Sequence, residues 1–136
     1  MAKAKLGATS IRNLSTCHKD LIHLVRLVER RCPFDFTVLE GHRSIERQKE
    51  LFDQGKSKID GLERLGMHNY NPSKAVDLAP YPIDWQDSKR FMVLGGVVLS
   101  CAKELGLTIR WGADWDMDGD YNDQSFDDLP HFELRG

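Results

Sequence analysis

The sequence predicts an α+β fold, a small and mainly antiparallel sheet with helices packed on one side, in a single domain. Two long stretches repeat apolar residues at helical spacing. Four short apolar or β-branched runs are bounded by Gly, Pro or Asp, and the connections between elements are short. At 136 residues the chain has the size of one domain, 1–136, large enough to bury a core without disulfide staples.

After a short polar lead, Ser15-Thr16 is expected to cap a first helix running to about Arg31. Leu21, Leu24, Val25 and Val28 form its apolar stripe, with Lys19, Arg26, Glu29 and Arg30 facing outward. Cys32-Pro33 stops it, because proline cannot continue the hydrogen-bond ladder. Phe36 to Glu40 reads as a strand ended by Gly41. Ser44 then caps a helix from Ile45 to about Gln54, and Gly55 lies past its end. Lys56 to Gly66 reads as a loop, and Ala75 to Ala79 as the second strand.

Asp84-Trp85-Gln86-Asp87 leads into the most apolar helix, about Ser88 to Leu105, terminated by Gly106. Inside it Gly95-Gly96 lowers helix propensity and marks close packing against the sheet. Leu107 to Trp111 reads as a third strand, an Asp-rich loop follows, and His131 to Leu134 closes the chain as a fourth.

Composition narrows the function classes. A net charge of −2 gives no reason to expect a nucleic-acid binder. Residues 1–50 carry ten Lys/Arg against six Asp/Glu, whereas residues 111–136 carry one against eight. The basic half reads first as a solvated helix surface, although it can also favour an anionic polymer. Cys17, Cys32 and Cys101 are odd in number and lack CxxC spacing, which argues against a disulfide framework. No apolar segment approaches the roughly 20 residues of a membrane span, and MAKAKLGATS lacks the apolar core of a signal peptide. The expectation is synthesis in a cytoplasm, no membrane insertion, and a monomer.

The chemistry centres on Met67–Pro80, MHNYNPSKAVDLAP. Asp77 sits in the apolar run Ala75-Val76-Asp77-Leu78-Ala79, where a carboxylate is costly unless paired or bound to a cation. A metallohydrolase needs three protein ligands and an open position, and two His with one carboxylate is a known set. His68, Asp77 and His131 can fill that role, with Asp128 as general base and Arg43 holding the oxyanion. Read by residue type alone, each has a plainer alternative. His68 can be an unpartnered loop histidine, Asp77 can bond backbone amides or Arg43, and His131 can simply open a strand. Glu133 is given no part in orienting His131, on the reading that the two side chains point to opposite faces.

The combination FTVLEGHRS, HNYNPSKAVDLAPY, RWGADW and DLPHFEL resembles the M15 zinc peptidases, closest to the phage endolysins that act as L-alanyl-D-glutamate endopeptidases and are related to D-Ala-D-Ala peptidases. The similarity runs from about the first helix to Leu134. It implies a hedgehog/D-Ala-D-Ala-peptidase-like fold and hydrolysis of the peptidoglycan stem peptide. It also implies zinc on His68, Asp77 and His131, acid/base work by Asp128 and a substrate-contacting Arg43. The His68–Asp77 gap exceeds the commonest family spacing by two residues, at Asn71-Pro72, and Asp128 stands where dipeptidase relatives carry Glu. The resemblance further implies release to the wall by a separate membrane-permeabilising protein. Rival readings are a D-Ala-D-Ala carboxypeptidase or dipeptidase, and a non-catalytic wall-binding domain.

A second constellation is Asp114, Asp116, Asp118 and Asp120, with Gly119 at the sixth position of the run. These match the front half of a calcium loop, but the twelfth position is Ser125 where such a loop carries Glu. Calcium here would regulate by ordering the approach to Asp128 and His131; the alternative is a solvated acidic turn. His18 and His23 read as structural or exposed, while His42 neighbours Arg43 and can line the site. Tyr70, Tyr81, Trp85, Trp111 and Trp115 read as packing residues, one or two of which can floor a peptide groove.

Overall fold

Strands Phe36–Glu40 (β1), Ala75–Pro80 (β2), Thr108–Gly112 (β3) and Asp128–Arg135 (β4) pair antiparallel in the order β1-β2-β4-β3. The computed structural model describes residues 6–56, 66–114, 117 and 128–135. Among these residues the helices are Ala8–Leu14 (α1), Lys19–Arg31 (α2), Ile45–Asp53 (α3) and Ser88–Leu105 (α4), with a 3-10 turn at Met67–Asn69. The expected α+β architecture is thus present.

Alternation along the strands divides the sheet. Val38, Val76, Leu78, Ile109, Trp111 and Phe132 are buried in one core with Leu21, Leu24, Val25 and Val28 of α2 and Leu94, Val98 and Cys101 of α4. Burying each Val or Leu contributes about 1.5–3 kcal/mol, so this face holds the domain together. Asp77, His131 and Glu133 occupy the alternate positions of β2 and β4 and meet on the opposite face.

Gly95 is where α4 meets the sheet. A Cβ there would lie 2.2 Å from the Trp111 ring, whereas one on Gly96 would meet nothing within 4 Å. The expected close packing therefore belongs to Gly95 alone. Gly106 ends α4 in the left-handed conformation, φ 73°.

Three expectations need correction. The polar lead is itself a helix, α1, and α2 begins at Lys19 with His18 as its cap, Nδ1 accepting from the Asp20 N–H at 3.1 Å. Ser15 and Thr16 do not cap α2 because their hydroxyls donate to the Arg12 and Asn13 carbonyls at the end of α1. Helix α1 covers the outer edge of β1. Ser10 Oγ accepts from the Val38 N–H, and Asn13 Nδ2 donates to the Val38 and Leu39 carbonyls. An edge that would otherwise invite another strand is thereby closed.

Glu29, expected to face outward, turns partly inward and accepts from the Leu6 N–H at 2.7 Å. The last strand begins at Asp128, not His131. Pro130 is tolerated within it because the β3–β4 register shifts between Trp111 and Gly112, so the missing N–H falls at an irregularity. Most of the loop expected at Lys56–Gly66, residues 57–65, lies outside the described residues.

Candidate metal centre

The site is assembled by register. Asp77 of β2 stands opposite His131 of β4 and, across a bulge between Val38 and Glu40, opposite Glu40 of β1. His68 comes from the 3-10 turn. The Arg43 N–H donates to the His68 carbonyl at 2.7 Å, and Asn69 Nδ2 donates to the Arg43 carbonyl at 3.0 Å. The exposed excursion Tyr70–Pro72 is closed by the Lys74 N–H donating to the Met67 carbonyl at 3.0 Å. The nine-residue step from His68 to Asp77 therefore leaves both side chains in reach of one another.

His68 Nε2 lies 3.0 Å and His131 Nδ1 3.2 Å from the same oxygen, Asp77 Oδ1. The ligand atoms of the three residues all fall within 4.8 Å of one another. For bonds of about 2.0–2.1 Å, a tetrahedral centre separates its ligands by about 3.3 Å, so the two shorter edges fit a first-row cation.

The outer nitrogens sharpen the case. His68 Nδ1 donates to the Gly41 carbonyl at 2.6 Å, and His131 Nε2 donates to Glu133 Oε1 at 2.7 Å. With those protons committed, a neutral His68 turns the lone pair of Nε2, and a neutral His131 that of Nδ1, toward a carboxylate oxygen. Only added protons or a cation relieve that convergence. Neutral imidazole as ligand, with its second nitrogen bonded outward, is the usual arrangement at protein metal sites.

Electrostatics agree. Burial alone would raise the Asp77 carboxyl, but hydrogen bonds from His131 and His68 outweigh it and hold Asp77 well below the usual range. Burial alone would lower His131, yet its bonds to Asp77 and Glu133 push it up to about 9. Asp128 shifts opposite to Asp77. Burial raises it, Asp77 adds to the rise, and His131, His68 and Arg43 oppose it. Asp128 thus stands within the field of the same cluster.

Arg43 is anchored. Its Nε donates to Glu40 Oε1 and its NH1 to Gln48 Oε1, both at 2.9 Å, and its NH2 is also paired with Glu40. Of its five N–H donors, three are engaged by Glu40 and the buried Gln48, and the guanidinium still bears on Asp128.

A sequence profile of the phage L-alanyl-D-glutamate peptidases matches residues 2–135. The chain belongs to this family. It is similar to the L-alanyl-D-glutamate peptidase of Escherichia phage T5, 31% identical over 123 residues that cover 88% of each chain. It is also 31% identical over 114 residues to the peptidoglycan L-alanyl-D-glutamate endopeptidase CwlK of Bacillus subtilis, covering 74% of this chain and 60% of that protein. The crystal structure of the Serratia marcescens L-Ala D-Glu endopeptidase ChiX superposes with a TM-score of 0.77 at 30% identity, covering 96% of this chain and 90% of that one.

Within this family member, the fold brings His68, Asp77 and His131 together and sets Asp128 and Arg43 beside them. Among the acidic-loop positions, Asp114 is buried in the turn after β3, where its N–H donates to the Trp111 carbonyl at 2.9 Å. Asp116, Asp118 and Asp120 lie outside the described residues.

Glu133 requires a correction. It stands two residues beyond His131, so on a strand the two side chains share a face, and Glu133 does hold the ring. The His-x-Glu spacing carried that signal. Glu40, Gln48 and the Gly41 carbonyl were also missed, because no spacing in the chain announces them.

Proposed function

We propose that the protein is a zinc-dependent peptidoglycan endopeptidase of the endolysin type that hydrolyses the stem peptide at the L-Ala–D-Glu bond during host lysis. The convergence of His68 Nε2, Asp77 Oδ1 and His131 Nδ1 supports this most, together with the peptidase activity for which the relatives are named. His68, Asp77 and His131 would hold the ion, which would supply Lewis acidity toward a water and the scissile carbonyl.

The chain's own groups do the rest. Asp128 accepts a proton from the attacking water and delivers it to the leaving amine. Its raised carboxyl is closer to neutral pH than an ordinary aspartate, which suits a group that must both take and give a proton. Arg43, pinned by Glu40 and Gln48, sets positive charge against the carbonyl oxygen as the tetrahedral centre forms.

Among the described residues no helix is long and apolar enough to cross a membrane. We read residues 1–136 as one monomeric peptidase domain, made in the host cytoplasm and admitted to the wall by a separate membrane-permeabilising protein. A regulatory calcium at Asp114, Asp116, Asp118 and Asp120 rests on the spacing of those carboxylates alone. Titrating activity with calcium after chelation and zinc restoration tests it, and a flat response removes it.

Mass spectrometry of digested peptidoglycan tests the main reading. The expected product carries a new N-terminal D-Glu, chelation stops its formation and zinc restores it. Release of free D-Ala would instead identify a D-Ala-D-Ala carboxypeptidase or dipeptidase. Wall binding without cleavage would identify a non-catalytic domain.

A further inference from the structure

Glu133 lies in the strand that carries His131 and is 3% exposed. Such a buried carboxylate must have both oxygens satisfied to be tolerated. Its two oxygens do different things. Oε1 accepts from His131 Nε2 at 2.7 Å. Oε2 accepts from Arg110 Nε at 3.1 Å and NH2 at 2.8 Å, with Arg135 NH1 at 3.5 Å. Arg110 is the cross-strand partner of Glu133 in the β3–β4 register, so the fork is delivered by the sheet itself.

We propose that Glu133, braced by Arg110, is a positioning residue that fixes the His131 ring with Nδ1 toward the metal position. The proposal rests on the metal-centre reading above. The hydrogen bond to Oε1 does two things at once. It keeps the proton on Nε2, leaving Nδ1 as the donor atom, and it opposes rotation of the ring about its Cβ–Cγ bond, which would carry Nδ1 away from Asp77. His68 obtains the same restraint from the backbone, through the Gly41 carbonyl. One ligand histidine is therefore oriented by main chain and the other by a carboxylate that is itself held by an arginine. A role limited to pairing Arg110 would leave Oε1 with no need to meet the imidazole.

The test uses the full chain and zinc itself. Zinc affinity is measured by competition with a chromophoric chelator for the wild type, Glu133→Ala, Glu133→Gln and His68→Ala. Long-range proton–nitrogen NMR of the zinc-loaded wild type reads which ring nitrogen of His131 carries the proton. Glu133→Ala is expected to weaken zinc binding by about 10–100-fold, the usual cost of losing such a partner. Glu133→Gln, which keeps an acceptor near Nε2, is expected to recover part of that loss, and the NMR is expected to show Nε2 protonated and Nδ1 bound to metal. Zinc affinity of Glu133→Ala within about threefold of wild type, against that 10–100-fold expectation, overturns the inference, as does a metal-bound Nε2. Should Glu133→Ala fail to fold, the wild-type NMR decides alone. If His68→Ala binds zinc as the wild type does, the metal-centre reading fails and this inference falls with it. If His68→Ala loses zinc while Glu133→Ala keeps it, only the role of Glu133 is rejected.

Discussion

Asp77 and His131 face each other across β2 and β4, with Oδ1 3.2 Å from Nδ1. They are 54 residues apart in the chain, and only the pairing of two strands makes them neighbours. Two corners of the cluster they form with His68 are therefore set by strand register, and the third by the turn at Met67–Asn69.

On the proposed mechanism Asp128 is separable from the metal. Replacing it with Asn would remove the proposed proton acceptor but none of the three proposed ligands. Asp128→Asn is expected to retain stoichiometric zinc by metal analysis while wall hydrolysis falls by about 10²–10⁴-fold, the usual worth of a positioned acid/base. Loss of zinc together with activity would make Asp128 a ligand instead.

Gly112 governs where Asp128 sits. A Cβ on Gly112 would lie 2.0 Å from the Asp128 carbonyl oxygen, and main chain has little room to yield. Gly112→Ala is expected to destabilise the fold by about 1–3 kcal/mol, the range for overpacking, and to lower activity further by moving Asp128. Denaturant melts beside rate assays on the folded protein check both.

The two glycines inside α4 are expected to respond with opposite sign. Gly95→Ala drives a methyl group into the Trp111 ring, whose Nε1 donates to the Leu129 carbonyl at 2.7 Å, and should destabilise by about 1–3 kcal/mol. Gly96→Ala meets nothing within 4 Å and should stabilise by about 0.5–1 kcal/mol through helix propensity. Equal melting shifts for the two would contradict the packing described here.

The cysteines predict a pH dependence. All three are buried, and burial raises each thiol, Cys17 from 9.0 to about 12. Folded Cys17 therefore keeps its proton where the unfolded chain loses it. Stability is untouched below about pH 9 and falls as pH rises from there toward about 12. In the native protein at neutral pH a thiol reagent should react slowly, and in denaturant it should titrate all three. Fast native labelling of Cys17 would refute the burial argument.

Much was legible in the chain because it is locally encoded. The α2 stripe, the Ser44 and Asp87 helix starts and the Gly106 stop follow from periodicity and capping chemistry, and each lies within one or two residues of its expected place. An aspartate within an apolar strand announced an unusual environment for Asp77. The errors have equally local causes. Ser15 and Thr16 looked like an N-cap because a hydroxyl can serve either end of a helix, and α1 claimed both.

What the chain alone determined is most of the elements, the placement of Asp77 within an apolar strand and the family to which its motifs point. Tertiary structure decided which oxygen and nitrogen atoms meet. The β2–β4 register brings Asp77 to His131, the Val38/Glu40 bulge turns Glu40 toward Arg43, and the β3–β4 register delivers Arg110 to Glu133. A hydrogen bond or a metal ligand is sensitive to tenths of an ångström, and that precision comes from strand pairing between distant segments, which no local pattern encodes.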